Sequence, residues 1–325
     1  RTNASGNPET KILAALRFVQ DEIRYLGIFE GVHSHKPYPL ETIMRRRFGD
    51  CKDKSLLLVS LLRRMGIEAY PALVRTDYGK AIAGWTPSPR AFDHLVTCVR
   101  VDGVTYWLDP TRSYQRGKLA NLYFPDYGYS LVIREGATEL TAIEPQGHGE
   151  SRRRVSEVFR IKDYQGDATL EVVTTMRGAV ADSNRGFFAS VALAEINRNY
   201  LNYYSSTYDE IESAKDPEVE DDEESNILTV REYYRIPNLW EESHDDDQKF
   251  EASFPSKYTY ERLGVPSTKR RTMPFAISHP VDVEHEVEIH LPDPMNEKAK
   301  EVVIEDPGFR FEYRESFEGP VTRLY

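Results

Sequence analysis

The dipeptide Asp102-Gly103 constrains this chain more than any other feature. It lies between residues 92–101 and 104–109, two runs rich in β-branched and aromatic side chains, and it is the strongest short signal for a two-residue hairpin turn. A loop of that length sets Val101 opposite Val104 and fixes the register behind it: Cys98 faces Trp107, Val96 faces Asp109 and His94 faces Thr111. All six share one sheet face. Asp109 is then a diagonal neighbour of His94, at a backbone separation of about 7–8 Å that two side chains can bridge. The turn alone predicts a histidine–carboxylate pair.

A second segment supplies a nucleophile. Gly49-Asp50-Cys51-Lys52-Asp53-Lys54-Ser55 precedes Leu56, Leu57, Leu58, Val59, Leu61, Leu62 and Met65, and Gly66 closes the run. Asp50 suits the N-cap, Asp53 stands three residues on, and Gly66 fits a left-handed exit, so Cys51 is predicted in the first turn of a largely buried helix. The helix dipole and the unpaired N–H groups of that turn favour thiolate, and Lys52 and Lys54 add positive charge. With an imidazole nearby, Cys51 is the candidate nucleophile, His94 the base and later the acid, and Asp109 the group that holds the imidazole tautomer. The Cys51 N–H is one candidate oxyanion donor. Tyr25 and Trp85 are candidates by type for the second, each read first as a packing residue.

The 325 residues favour two domains. With 42 basic against 53 acidic side chains the net charge is −11, which argues against nucleic acid as partner. No apolar run is long enough to span a bilayer. The chain opens on Arg1 with no leader and is read as a processed or excised piece. Two cysteines exclude a disulfide framework and a cysteine-based zinc site. Cys98 lies four residues along the strand from His94, about 13 Å away, so it is a core residue; a 51–98 disulfide and a working Cys–His pair exclude each other. His33 and His35 form His-x-His in a loop with no third ligand nearby, and no metal or cofactor is expected. Arg45, Arg46 and Arg47 are read equally as a site for an acidic substrate tail or lipid head group and as a solvated face with acidic partners.

Residues 8–26 carry apolar positions at helical spacing. Near Glu144-Pro145-Gln146-Gly147 the pattern changes to period two, in residues 155–161, 168–176, 227–236 and 283–291, which places a catalytic domain in residues 1–145 and a β-rich domain in residues 146–325. A helical insertion is predicted near 186–204. Residues 216–224 hold seven acids in nine positions and residues 241–247 five in seven, and both are read as solvated loops.

The order Gly49-Asp50-Cys51-Lys52-Asp53-Lys54, Met65-Gly66-Ile67-Glu68-Ala69, Phe92-Asp93-His94 and Trp107-Leu108-Asp109-Pro110 resembles the transglutaminase-like superfamily. Ile23-Arg24-Tyr25-Leu26-Gly27-Ile28 and the approach from Arg46 to Cys51 resemble its bacterial, multi-domain branch. The resemblance covers roughly residues 8–135 and implies an α+β, papain-like core with amide or acyl-transfer chemistry at Cys51, His94 and Asp109. Arg270-Arg271-Thr272-Met273-Pro274 and residues 283–292 resemble the β domain that often follows this core, which implies a β-sandwich. Animal transglutaminases have Gln before and Trp after the nucleophilic Cys, where this chain has Asp50 and Lys52, so hydrolysis of a protein or peptide amide is favoured over glutamine–lysine crosslinking. A binding module that retains an unused triad, and an acetyl-transfer enzyme, are the alternatives. The resemblance further implies a periplasmic or otherwise extracytoplasmic location and an envelope partner for the β domain.

Overall fold

A computed structural model describes residues 6–27, 30–147, 149, 151–242, 249–263, 268, 270–273, 275, 279–295 and 297–325, with 261–263 described in backbone only. Ile28, His244, most of the 241–247 acidic run and Pro274 lie outside the described residues. The chain divides into two compact units: the first comprises Arg1–Glu150, Ala181–Gly186 and Glu223–Asn226, and the second Ser151–Val180, Phe187–Asp222 and Ile227–Tyr325.

In the first unit α1 spans Pro8–Glu22, with Asn7 as N-cap accepting from Thr10 N at 2.8 Å. The helix ends earlier than the apolar spacing suggests. Ile23 is already extended, and Arg24–Tyr25 (β1) pairs in parallel with Phe48–Gly49 (β2). The carbonyls of Gln20 and Ile23 at the end of the helix accept from the Lys54 ammonium. After α2 (Leu40–Arg46) comes α3 (Cys51–Arg64), and then β3 (Glu68–Val74), β4 (His94–Val101), β5 (Val104–Leu108), β6 (Tyr129–Val132) and β7 (Thr141–Ala142). These five strands form one antiparallel sheet in the order β5-β4-β3-β6-β7.

Two apolar clusters build this unit. Ile12, Leu16 and Val19 of α1 and Leu58 and Leu62 of α3 are fully buried with Val99 and Leu108 of the sheet. Val96, Cys98 and Trp107 join Ala72, Val74, Phe124 and Val132 in the second, as the hairpin register requires of residues sharing a face. Each buried aliphatic side chain contributes about 1.5–3 kcal/mol relative to exposure.

The second unit is β-rich. Its strands β8 (Arg153–Ile161), β9 (Ala168–Arg177), β10 (Glu212–Asp222), β11 (Ile227–Ile236), β14 (Val283–His290), β15 (Lys300–Asp306), β16 (Phe309–Glu318) and β17 (Val321–Leu324) join in one sheet, ordered β10-β11-β9-β8-β14-β17-β16-β15, with β12 (Glu241–Glu242) and β13 (Phe250–Glu251) paired separately. β14 runs parallel to β8 and antiparallel to β17. The predicted helical insertion is two helices, α4 (Ala179–Ser190) and α5 (Leu193–Ser205), separated where Val191 and Ala192 are extended; a short α6 (Lys257–Leu263) follows later. The acid run at 216–222 corrects the loop expectation. It lies in edge strand β10, where the register is irregular around Pro217 and the acids face solvent; an edge tolerates both a missing N–H and unpaired charge.

Buried polar groups occupy the core of this sheet. Tyr204 donates to Glu157 Oε1 at 2.8 Å, Tyr234 donates to Glu232 Oε2 at 2.6 Å, and His285 Nε2 lies 3.4 Å from Glu157 Oε2. Burial, with the charge of Glu157 and against the Tyr234 hydrogen bond, pushes the Glu232 carboxyl up to about 7 from an ordinary 4.5. Between those values only the unfolded chain has lost the proton, so this carboxyl makes folding less favourable as pH rises. Glu232→Gln keeps an acceptor for Tyr234 and removes the ionisation. It is expected to raise Tm relative to wild type more at about pH 8 than at about pH 5, by a difference worth at most roughly 3 kcal/mol; equal shifts in thermal scans at the two pH values would refute this.

Candidate active site

Cys51 is the first residue of α3. Asp50 caps the helix, accepting from Lys52 N at 3.1 Å and Asp53 N at 3.3 Å, and Asp53 Oδ2 accepts from Asp50 N at 3.4 Å to complete a reciprocal capping box. Asp53 is fully buried and also accepts from Tyr38 N at 2.8 Å and Arg46 Nη2 at 2.6 Å. Ser55, one turn on from Cys51, donates to the Leu95 carbonyl at 2.9 Å and ties the helix to the strand that begins with His94. The residues that fix the cysteine therefore also fix its distance from the histidine.

The hairpin matches its predicted register over Thr97↔Leu108, Cys98↔Trp107 and Val101↔Val104, with Asp102 at φ 51° and Gly103 at φ 79°. Its ladder stops at Thr97↔Leu108, so the expected pairs Val96–Asp109 and His94–Thr111 do not form. The chain turns there because Asp109 Oδ1 accepts from Thr111 N at 2.9 Å and Thr111 Oγ1 at 2.6 Å. The side chains nevertheless meet: His94 Nε2 lies 3.1 Å from Asp109 Oδ2. Nε2 is thereby committed to Asp109, which leaves Nδ1 for the Cys51 sulfur. Gln20, from α1, donates to the Asp109 carbonyl at 3.0 Å and to Gln115 Oε1 at 2.7 Å, holding this loop from behind.

Burial alone would lower the His94 pKa, but hydrogen bonding to Asp109 and Cys51, with their charges, pushes it up to about 10. Burial would raise the Asp109 carboxyl, yet the hydrogen bonds from His94 and Thr111 hold it below the ordinary carboxylate range. The site therefore favours an imidazolium beside the sulfur. An imidazolium in that place can hand its proton to a departing group. Tyr127, which no sequence signal singled out, sets the edge of its ring against His94 at 6.1 Å between centroids.

Other sequence expectations resolve differently. Lys52 is paired with the Asp50 carboxylate, and Lys54 is fully buried on the carbonyls of α1, its pKa pushed down to about 8 by burial; neither is a free cation for the thiol. Arg46 is structural, held by Asp53 and stacked 3.8 Å over Tyr38. His33 stacks on Tyr38 at 3.4 Å, and His35 Nδ1 meets Ser34 Oγ at 2.7 Å. Cys51 and Cys98 are both free, and burial pushes the Cys98 thiol up to about 11. Tyr25 is about half exposed; burial and the charges of Cys51, Asp50 and Asp109 raise its phenol. Trp85 lies on an exposed loop against Tyr78.

Residues 1–128 match the family model described as the transglutaminase-like superfamily. That segment of the first unit is similar to a transglutaminase-like core. A crystal structure described as a "putative protease" from Parabacteroides distasonis superposes with a TM-score of 0.52 over 98% of this chain at 13% identity. That likeness is one of fold, and this chain spans 45% of that protein's length. No curated protein matches. No helix among the described residues is long and apolar enough to cross a membrane.

Proposed function

We propose that the transglutaminase-like core is a cysteine-dependent acyl-transfer enzyme in which Cys51 is the nucleophile, His94 the acid–base group and Asp109 its orienting carboxylate. The observation that carries this reading is the His94–Asp109 contact at 3.1 Å beside a cysteine in the first turn of a capped helix. The sulfur attacks an amide carbonyl, the imidazolium gives its proton to the departing amine, and a thioester remains on Cys51. His94, now neutral, takes a proton from water as that water attacks the thioester, and expulsion of the sulfur as thiolate releases the acid and restores the thiolate–imidazolium pair. The Cys51 N–H is the donor proposed for the developing oxyanion. Hydrolysis of a protein or peptide amide is preferred over glutamine–lysine crosslinking, because Asp50 and Lys52 form an ion pair where the crosslinking enzymes have Gln and Trp. An extracytoplasmic location, with the second unit meeting an envelope partner, goes with this reading.

The test is the pH dependence of alkylation by iodoacetamide, read by mass spectrometry, in the wild-type chain and in His94→Ala. Cys98 is sheltered by burial, so the useful reference is a free thiol such as glutathione, with a pKa of about 8.5. Cys51 is expected to react at least about tenfold faster than that reference near pH 6, and His94→Ala to remove the advantage. Identical profiles for the two chains would reject the nucleophile assignment and favour the binding-module alternative.

A further inference from the structure

The loop that leaves β3 starts beside His94 and builds an aromatic wedge. Val74, the last residue of β3, pairs with His94, and Asp93, next to that histidine, takes Thr76 N at 2.9 Å and Thr76 Oγ1 at 2.8 Å. Arg75, the residue between, reaches Asp93 at 3.6 Å and sets its guanidinium 4.9 Å from the Tyr78 ring centre and 5.7 Å from that of Trp85. The two rings meet edge to face, 4.7 Å between centroids and 61° between planes. The same loop is fixed on its far side. A Cβ at Gly128 would lie 2.5 Å from Gly79 C and Lys80 N, so this backbone packs directly against the residue that follows Tyr127, whose ring touches His94.

This pair has no core to fill. Tyr78 is 48% and Trp85 40% exposed, although an arginine stacks on both and two backbone supports hold their loop. Ordering two large aromatic side chains in water gains little unless something else covers them. Their angled arrangement, with a guanidinium already over the rings, offers a corner for one bulky side chain rather than the open flat face on which a sugar stacks. We infer that Tyr78 and Trp85, braced by Arg75, form the specificity wedge of the site, which takes an aromatic or large aliphatic side chain of a peptide next to the amide presented to Cys51. The inference rests on the acyl-transfer reading above, and the substrate class it names is a peptide with an apolar residue beside the scissile bond.

The test uses two peptidyl acyloxymethyl ketones that differ only in carrying Phe or Asp next to the warhead. In each the Cys51 sulfur displaces the carboxylate leaving group and forms a thioether, counted by mass spectrometry, with iodoacetamide as the small control electrophile. The Phe probe is expected to label Cys51 about tenfold or more faster than the Asp probe, and Trp85→Ala to erase that ratio while leaving the iodoacetamide rate unchanged. Tyr78→Ala, with the wedge half intact, is expected to reduce the ratio less. Equal rates for the two probes would overturn the wedge. So would a Trp85→Ala chain in which probe and iodoacetamide slow together, since that is a structural effect. Should iodoacetamide give wild-type and His94→Ala identical profiles, the nucleophile reading fails by itself, and the Phe-to-Asp ratio at Cys51 still judges the wedge.

Discussion

Replacing Asp53 by alanine is expected to lower the stability of the first unit by roughly 3–5 kcal/mol, the range for removing one partner of a buried ion pair. Asp53 is fully buried and gathers the Arg46 guanidinium and the backbone N–H groups of Tyr38 and Asp50. Without it, Arg46 stays wedged over Tyr38 and Phe48 with no counter-charge, and two donors lose their acceptor. Asp53→Asn keeps an acceptor but not the charge, and should cost about half as much. Urea unfolding of both variants measures this; a loss below about 1 kcal/mol for Asp53→Ala would mean that water replaces the carboxylate freely.

The second large effect is expected at Asp109. Asp109→Asn should slow acyl transfer from Cys51 by on the order of 10³–10⁴, as removal of the orienting carboxylate does in triads of this logic. The physical reading is independent of rate. Hydrogen bonding to Asp109 and Cys51 outweighs burial and pushes His94 up to about 10, so loss of the carboxylate lets burial pull the imidazole down toward or below its ordinary value of about 6.5. In the wild type the imidazolium is expected to persist through neutral pH and to be lost only as pH rises toward about 10. In the variant it is lost several units earlier. An NMR titration of the imidazole follows this directly, alongside the burst of aryl alcohol released from an aryl ester by Cys51. An unchanged titration midpoint would separate the Asp109 contact from any role in tuning His94.

What could be read from the chain was local or set by a turn. Two residues, Asp102 and Gly103, determine which side chains of β4 and β5 face each other, and the pattern Asp50 to Asp53 names its own cap. The rest depended on partners far along the sequence. Lys54 looks like a cation for the nearby thiol until the end of α1, more than thirty residues earlier, claims its ammonium. The end of α1 is hidden for the same reason, since β2 recruits Arg24 and Tyr25 into a pair that no periodicity announces. The acidic run of β10 has the composition of a loop, and only the neighbouring β11 makes it a strand. The aromatic pair is hidden from the sequence because Tyr78 and Trp85 stand apart in a Gly- and Pro-rich loop and meet only once the loop folds, ring against ring with Arg75 over both.

The parallel pairing of β8 with β14 joins residues 153–160 to residues 283–290. During synthesis β8 finds its antiparallel neighbour β9 at once, but its other edge has no partner until the chain has grown by more than a hundred residues. Closing so long a loop is slow compared with hairpin formation, so this pairing is expected to form after the β8–β9 hairpin. Until β14 arrives β8 leaves a row of unpaired backbone N–H and C=O groups, which makes the stretch between them a window in which a nascent or truncated chain is open to mispairing.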